Sequence, residues 1–389
     1  MKPGWRRVKF GDVVRLNKET SKDPLADGLD RYVGLEHIEP GDLRIRSWGD
    51  IADGTTFTNR FRPGQVLFGK RRAYQRKVAV ADFGGVCSGD IYVFEPKDPG
   101  VLLPELLPFI CQTDAFFDYA VGTSAGSLSP RTNWKSLAEY EFVLPSMEAQ
   151  ERVARMLAIA LNAYESHAEA ARKAHTAIYS YLHNRFYLAS LADSSLYPWQ
   201  PMGSVLSLLK DGDHYPPKGS SPDGPMLLSV SHISEDALHF GPDERRIPWK
   251  HFYKLHEKWS IRPGDSLLCV IGATLGKVAR VPAGMPPFTF QRMVAVLRAN
   301  QQIIEQDYLH LYLQSSEFQR RCWSVSRSTA QPAIYLQDIA RLPVPIAPKD
   351  TQKEVVGVVK ELRGAREIAR ARSVDSYEVM RCIISEAMS

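Results

Sequence analysis

The sequence predicts an α+β protein in which two repeat-related mixed α/β domains are separated by two long, antiparallel, coiled-coil-like helices. Three observations predict this class. Landmark residues recur in the same order about 200 residues apart, each half opens with short apolar runs broken by Gly and Pro, and each half ends in a long stretch with helical periodicity. The chain has 389 residues, of which 44% are hydrophobic and 24% charged, so it is long enough for two globular cores.

Five pairs of landmarks define the repeat. The pairs are Trp5 with Trp199, His37 with His232, Arg62–Gly64 with Arg262–Gly264, Cys111–Thr113 with Leu313–Ser315, and Gln150 with Gln352. Because their order is kept and their separation drifts only slowly, we interpret them as an internal duplication. The recurring His beside Ile is typical of a hydrogen-bonded strand residue rather than of a metal ligand.

The repeat divides the chain into four segments. Residues 1–145 have a strand-and-turn pattern with one short helix near Pro104 to Asp118, and residues 146–190 form the first long helix. Residues 191–347 repeat the domain, and residues 348–389 repeat the helix. Each helix of some 40 residues would be about 60 Å long, since an α-helix rises 1.5 Å per residue.

Each long helix carries one apolar stripe at three- and four-residue spacing. The predicted interface residues are Val153, Leu157, Ala160, Tyr164, Ala171 and Ile178 in the first helix, and Val355, Val359, Leu362, Ala369 and Ile383 in the second. The small residues favour close packing of the two helices against each other, antiparallel. The alternative is that each helix folds back on its own domain.

Basic residues are concentrated rather than spread. The formal net charge is only +5, yet Arg60–Ala81 contains seven basic side chains and no acid. Three further windows lack acids, Ser266–Ile304, Tyr119–Ala138 and Phe318–Gln337, and the windows of the two halves correspond. Such stretches would repel themselves unless they met an anion, and their recurrence favours a polyanion such as DNA.

The windows supply the candidate DNA-binding residues. Small hydroxyls beside Arg suit phosphate contacts, whereas Arg and Gln suit base edges. In the first half the candidates are Lys70, Arg71, Arg72, Tyr74, Gln75, Arg76, Lys77, Ser127, Arg131 and Lys135. In the second half they are Thr274, Lys277, Arg280, Gln291, Arg292, Arg327 and Gln331.

The cysteine and hydropathy patterns restrict the class of protein further. The five Cys form no C-x-x-C pair, and the ten His form no H-E-x-x-H motif, so no metal site is predicted. The sequence contains no uncharged apolar run near 18 residues and no apolar signal core at its start. We therefore expect a cytoplasmic protein with reduced thiols and no membrane partner.

In their order, the motifs resemble a known family. The first-half motifs are Trp5, Arg62–Phe68, Cys87–Ile91, Ala125–Ser127, Leu144–Pro145 and Glu148–Gln150, followed by a long helix. The second-half motifs are Pro263–Asp265, Gly272–Lys277, Leu336–Ile339, Pro343–Pro345 and Thr351–Gln352. Over essentially the whole chain this order is similar to the paired target recognition domains of type I restriction-modification specificity subunits. Two departures are Ala347, which stands where the first half has Pro145, and the missing counterpart of the Arg71-Arg72 cluster.

The resemblance implies a non-catalytic subunit of a methyltransferase and endonuclease complex that acts in phage defence. Each recognition domain would read one half of a bipartite, asymmetric double-stranded DNA target. The helices would set the spacer between the halves and dock two methyltransferase subunits, and restriction and motor subunits would join for cleavage. No cofactor is expected in this chain, because S-adenosylmethionine, ATP and magnesium would belong to the partner subunits.

Two other functions stay open at this point. A stand-alone nuclease could formally use Asp82 or Asp90 with Glu95 and Lys97, and a stand-alone methyltransferase would need an Asn or Asp before Pro286-Pro287-Phe288, where Met285 stands. Either enzyme would turn over substrate without partners. A repeat scaffold that binds only protein would instead show no salt-dependent affinity for DNA.

Overall fold

The computed structural model describes residues 4–187, 197–234, 236–241, 244–327 and 331–388. The chain divides into two compact units. Unit 1 comprises Met1–Ala168 with Arg370–Ser389, and unit 2 comprises Glu169–Ala369. Each unit therefore contains one mixed domain and a part of each long helix, and the predicted α+β class with two long helices is confirmed.

Unit 1 begins with a domain of ten short strands. These are β1 (Arg6–Lys9), β2 (Val14–Leu16), β3 (Arg31–Val33), β4 (Gly49–Asp50), β5 (Asn59–Phe61), β6 (Val66–Gly69), β7 (Val78–Val80), β8 (Gly85–Cys87), β9 (Ile91–Pro96) and β10 (Glu141–Leu144). Its helices are α1 (Phe10–Val13), α2 (Leu107–Gln112), α3 (Asp114–Gly122), α4 (Trp134–Leu137) and the start of α5 (Met147–Phe186). The single short helix expected near Pro104 to Asp118 is in fact two, because the Thr113 side chain caps the start of α3.

Two four-stranded sheets build this domain. One is antiparallel in the order β2-β9-β6-β7, and the other has the order β4-β3-β8-β5 with a parallel β3-β8 pair. The strands β1 and β10 pair and so bring the start and end of the domain together. Its core is aromatic, with Phe10, Phe68, Phe94 and Phe116 fully buried and in mutual ring contact. Such aromatic pairs add stabilisation beyond the area that they bury.

Unit 2 repeats this plan. Its strands are β11 (Trp199–Pro201), β12 (Leu206–Asp211), β13 (Met226–Leu228), β14 (Ile233–Ser234), β15 (Ala237–Leu238), β16 (Ser266–Cys269), β17 (Val278–Arg280), β18 (Phe288–Phe290), β19 (Val294–Ala299) and β20 (Pro343–Pro345). Its helices are the end of α5, α6 (Met202–Val205), α7 (Trp249–Leu255), α8 (Gln306–Gln314), α9 (Ser316–Ser324), α10 (Leu336–Arg341) and the start of α11 (Lys349–Met388). The sheet order β12-β19-β16-β17, the parallel β13-β18 pair and the β11-β20 pair match their counterparts in unit 1.

The duplication extends to single buried side chains. Gln150 donates from its amide nitrogen to the carbonyls of Pro145 and Val101 and accepts from Leu103 N–H. Gln352 makes the corresponding bonds, 2.8 Å to Ala347 O, 3.3 Å to Ile303 O and 2.7 Å from Glu305 N. Ala347 thus offers the same carbonyl as Pro145, so this departure from the repeat does not change the contact.

Replacing Gln352 by Leu should lower the free energy of unfolding by roughly 3 kcal/mol, because several buried backbone groups would lose their partner. Gln352 is fully buried, so water cannot replace the hydrogen bonds that its side chain makes. Urea unfolding followed by tryptophan fluorescence measures the change. Lys353→Gln, on an exposed neighbour, is the control and should be neutral. A loss below about 1 kcal/mol for Gln352→Leu would show that these bonds are dispensable.

In unit 1 the long helices pack both on each other and on the domain. Val153, Leu157 and Ala160 of α5 share one core with Met380 and the following turns of α11, and this core also contains Phe10. Tyr164 and Tyr377 are in ring contact at 5.8 Å. Early residues of α5 therefore meet late residues of α11, which makes the pair antiparallel.

Unit 2 shows the reverse combination. Ile178 and Leu182, near the end of α5, share a core with Val355 and Val359 from the start of α11. Ala171 and Ala369 are buried, and Leu362 is partly buried. In unit 1, Ile383 is only partly buried while its neighbour Ile384 is buried. The predicted helix pairing and the alternative of packing on the domain are thus both present.

Three smaller expectations can be compared with the structure. His37 and His232 are hydrogen-bonded as expected, but each lies in a 3-10 turn instead of a strand and accepts a bond from the N–H of Gly34 or Ser229. All five cysteines are free thiols, and burial raises the pKa of Cys87 to about 12. Within the described ranges, no helix has the length and apolarity needed to cross a membrane.

Candidate nucleic-acid interface

In unit 1 three loops meet at one end of the antiparallel sheet. Strand β6 stops at Gly69 opposite Ile91, the first residue of β9, so the loop 70–77 and the turn 88–90 emerge side by side. The loop 123–131 joins them through backbone bonds from Arg72 N to Pro130 O and from Thr132 N to Lys70 O, both 2.8 Å. We call these three segments loop cluster 1. It contains the first-half candidates except Lys135, which lies exposed on α4.

A carboxylate lies among the basic groups of loop cluster 1. Asp90 forms ion pairs with Arg71 at 3.3 Å and with Arg131 at 3.0 Å. Burial alone would raise the pKa of Asp90, but hydrogen bonds and charge from Arg131 and Arg71 outweigh it and lower the pKa below the ordinary value. Arg71 also donates to Ser129 Oγ at 2.6 Å. Both guanidinium groups are therefore held in place, with part of their charge balanced.

Most of the other basic side chains in this cluster have partners too. Arg76 pairs with Asp114 at 2.5 Å, Lys77 donates to Leu35 O at 2.6 Å, and the Lys70 ammonium lies 4.7 Å from the centre of the Tyr92 ring. Arg72 differs. Its side chain is exposed and makes no ion pair or side-chain hydrogen bond within the described part of the chain.

Arg72 and Arg76 also have an unusual backbone. Their φ angles are 55° and 56°, in the left-handed region that costs a non-glycine residue about 1 kcal/mol. The equivalent positions of unit 2 are glycines, Gly272 and Gly276, with φ of 85° and 88°. Arginine in a glycine conformation points to a role for the side chain, because strain of this kind collects at functional sites.

Unit 2 has an equivalent group of loops. Strand β16 stops at Cys269 opposite Val294, so the loop 270–277 and the turn 291–293 emerge together. The described residues 326–327 and 331–333 join them through a bond from Gly272 N to Pro332 O at 2.8 Å. We call these segments loop cluster 2. It brings together Thr274, Lys277, Gln291, Arg292, Arg327 and Gln331.

The two loop clusters share a backbone but not their charges. In unit 1 the backbones of Arg71 and Arg131 form an isolated β-bridge. The backbones of Ile271 and Ala333 form the equivalent β-bridge in unit 2. Asp90 O accepts from Lys70 N as Met293 O accepts from Val270 N. A trio of two arginines and one aspartate is thus replaced by an apolar trio. The two units can therefore present different contacts on one common framework.

Arg280 does not belong to loop cluster 2. Arg280 is the cross-strand neighbour of Ser266, which lies at the opposite end of β16 from Cys269. Its guanidinium forms an ion pair with Asp307. The prediction grouped Arg280 with Lys277 because both lie in the acid-free window Ser266–Ile304, but strand β17 places Arg280 at the other end of the sheet. Arg327 is in the cluster, where it pairs with Asp338 at 3.1 Å and lies over the Tyr335 ring.

Two of the three acidic residues that a nuclease could use, Asp90 and Glu95, are engaged elsewhere, whereas Asp82 is exposed. Asp90 holds two arginines, and Glu95 pairs with Arg15 at 2.7 Å and accepts from Gln65. A serine, a histidine and an aspartate also come together in unit 2, with Ser266 2.8 Å from His310 and His310 bonded to Asp236. Ser266 and His310 are fully buried, so this arrangement supports the fold and cannot receive a substrate.

The sequence reasoning missed helix α7 of unit 2. This helix carries the exposed aromatic side chains Trp249 and Tyr253 beside Lys250 and Lys254. Its charge pattern was visible, since residues 245–256 contain no acid. The corresponding stretch of unit 1 forms β4 and a 3-10 turn with Asp50 and Asp53, so comparison of the two halves does not reveal α7.

Comparisons with known proteins agree with this architecture. Residues 248–372 match the family model described as type I restriction modification DNA specificity domain. A 161-residue segment is 29% identical to the type I restriction enzyme EcoDI specificity subunit of Escherichia coli, covering 39% of this chain and 33% of that protein.

Two solved structures share the fold over nearly the whole chain. One comes from a study of complex assembly and conformational transition of the type I R-M system, with 21% identity, a TM-score of 0.59, and coverage of 100% of this chain and 98% of the other. The other is the type I restriction-modification system S subunit from M. genitalium, with 14% identity, a TM-score of 0.58, and coverage of 97% and 96%. Together the comparisons confirm the family resemblance that the landmark residues predicted.

Proposed function

We propose that this chain, which resembles type I restriction-modification specificity subunits in sequence and fold, is the DNA-recognition subunit of such a complex. Each unit reads one half of a bipartite, asymmetric double-stranded target through its loop cluster. The observation that carries the proposal is the pair of loop clusters, built on one backbone framework with different side chains. Two such surfaces in one chain suit two unlike half-sites better than a single palindromic one.

The long helices supply the second part of the proposal. Each is 40 residues long and contributes to both units. Because each helix is packed into the core of both units, its length sets the spacer between the two half-sites. The exposed faces of the helices dock two methyltransferase subunits, to which restriction and motor subunits add for cleavage.

The chain itself contributes recognition and no bond-making chemistry. S-adenosylmethionine, ATP and magnesium belong to the partner subunits in this proposal. Asp90 and Glu95 are committed to arginines, and the buried Ser266 cannot act as a nucleophile. These roles argue against a stand-alone nuclease or hydrolase, and the basic loop clusters argue against a scaffold that binds only protein.

Selection from a random duplex library tests the proposal directly. The full chain, assembled with the modification subunit of its own system, is expected to enrich two short, unlike sequence blocks separated by an unspecified spacer of constant length. The affinity of the assembly for the selected duplex should fall steeply as salt rises. Salt-independent binding, or methylation or cleavage by this chain alone, would refute the proposal.

Replacing Arg72 by glycine, the residue at the equivalent position 272 of unit 2, should weaken DNA binding without destabilising the fold. Arg72→Gly removes a side chain with no partner in the described structure and relieves a left-handed backbone, so stability should stay level or rise by up to about 1 kcal/mol. The slope of log affinity against log salt should become shallower by about 0.9, the value of one lost phosphate contact.

Two controls accompany this variant. Arg72→Ala removes the same charge without relieving the left-handed backbone, so it separates the effect of DNA contact from the conformational effect. Arg72→Lys keeps the charge and should retain most of the salt slope. If Arg72→Gly leaves the slope unchanged, Arg72 lies away from the DNA.

A further inference from the structure

We propose that helix α7, together with Tyr215, forms an aromatic and basic ridge through which unit 2 contacts duplex DNA beyond loop cluster 2. The inference rests on the proposed function and assigns a specific element to it. In the described part of unit 1, the corresponding stretch 49–53 forms a short strand and a 3-10 turn instead of an α-helix, so the inference concerns unit 2 alone.

Helix α7 is fixed next to loop cluster 2. His251, on its inner face, has Nε2 2.6 Å from Oδ2 of Asp213, which is buried. The backbone of Asp213 in turn donates to Phe290 O at 2.7 Å and accepts from Arg292 N at 3.0 Å. One side-chain hydrogen bond and two backbone hydrogen bonds thus connect the helix to the turn that carries Arg292.

The outer face of the helix combines aromatic rings with uncompensated charge. Trp249 and Tyr253 are 39% and 63% exposed, and their rings are stacked at 5.5 Å. The Trp249 indole N–H donates to Asp223 O at 3.0 Å, which holds the ring in place. Lys250 and Lys254 are exposed and have no ion pair within the described ranges. Since residues four apart share a helix face, the rings and the ammonium groups form two adjacent rows.

This composition favours DNA over a protein partner. A protein interface is usually depleted of lysine at its centre, whereas lysines suit phosphates and flat rings suit sugars and thymine methyl groups. Tyr215, which is 88% exposed, follows two residues after Asp213 and extends the ridge at the same loop cluster. In unit 1 the corresponding stretch holds β4 and a 3-10 turn with Asp50 and Asp53, which would repel a phosphate backbone.

Salt-dependent binding to the selected duplex tests the ridge. In the full assembly, Lys250→Gln with Lys254→Gln should make the slope of log affinity against log salt shallower by about 1.8, as two phosphate contacts would be lost. The matched control is Lys22→Gln with Lys97→Gln, two exposed lysines of unit 1 that lie outside both loop clusters and both long helices, which should leave the slope unchanged. Tyr253→Ala, at an exposed position with little risk to folding, should relax base preference in only one of the two half-sites.

The outcomes separate the inference from the function on which it rests. If the unaltered assembly shows no salt-dependent binding, the proposed function fails. If it binds and the α7 lysine variant keeps the full slope, the ridge does not contact DNA and the inference fails alone. Loss of assembly with the modification subunit in the α7 variant, with DNA contacts intact, would mean that α7 binds protein and would also overturn the inference.

Discussion

If the proposed function holds, replacing residues 199–345 with the equivalent segment of a type I specificity subunit should change one half of the recognised DNA sequence and leave the other half unchanged. The structure makes these limits suitable, because Trp199 and Pro345 are register partners in the β11-β20 pair. The two ends of the exchanged segment therefore lie side by side in one strand pair. It carries loop cluster 2 and α7, while both long helices stay outside it.

The reciprocal exchange provides the control. In unit 1, Arg6 pairs with Leu144 in the same way, so exchange of residues 6–144 should alter the other half-site alone. Selection from a random duplex library reads both results, and the spacer length should stay constant in each. A change in both halves after a single exchange would show that the units do not read independently.

Lengthening both long helices together should lengthen the spacer between half-sites. The structure refines where to insert, since each helix contributes to both units and changes from one to the other after Ala168 in α5 and after Ala369 in α11. Four residues added at both points extend the pair by about 6 Å. With a duplex rise of about 3.4 Å per base pair, the spacer should grow by one or two base pairs while the half-sites stay the same.

A single insertion is the informative contrast. Four residues added to α5 alone would shift one helix by about a turn against a partner that packs with it in both units. The apolar contacts of Ile178 with the start of α11, or those of Val153 with its end, would then be out of register, so assembly and DNA binding should be lost. An active paired variant with an unchanged spacer would mean that the helices do not set the distance.

Local pattern in the sequence was sufficient for the architecture. The repeat, the two helices and the four acid-free windows depend on periodicity and composition. Both can be seen in the sequence before the fold is known. Gln150 and Gln352 illustrate this, because the two landmark residues make the same three hydrogen bonds to backbone groups. The apolar stripes likewise predicted which faces of the helices are buried.

Only the tertiary structure decided which charges are available and which loops stand together. Asp90 is distant in sequence from Arg131, yet it balances part of the charge of Arg131 and Arg71, and the strand β17 carries Arg280 away from Lys277. Neither fact follows from spacing, since each depends on strand register between distant segments. The left-handed conformation of Arg72 and the position of α7 beside Arg292 have the same origin. Long-range pairing, and not residue type, selects from many basic residues those that can meet DNA.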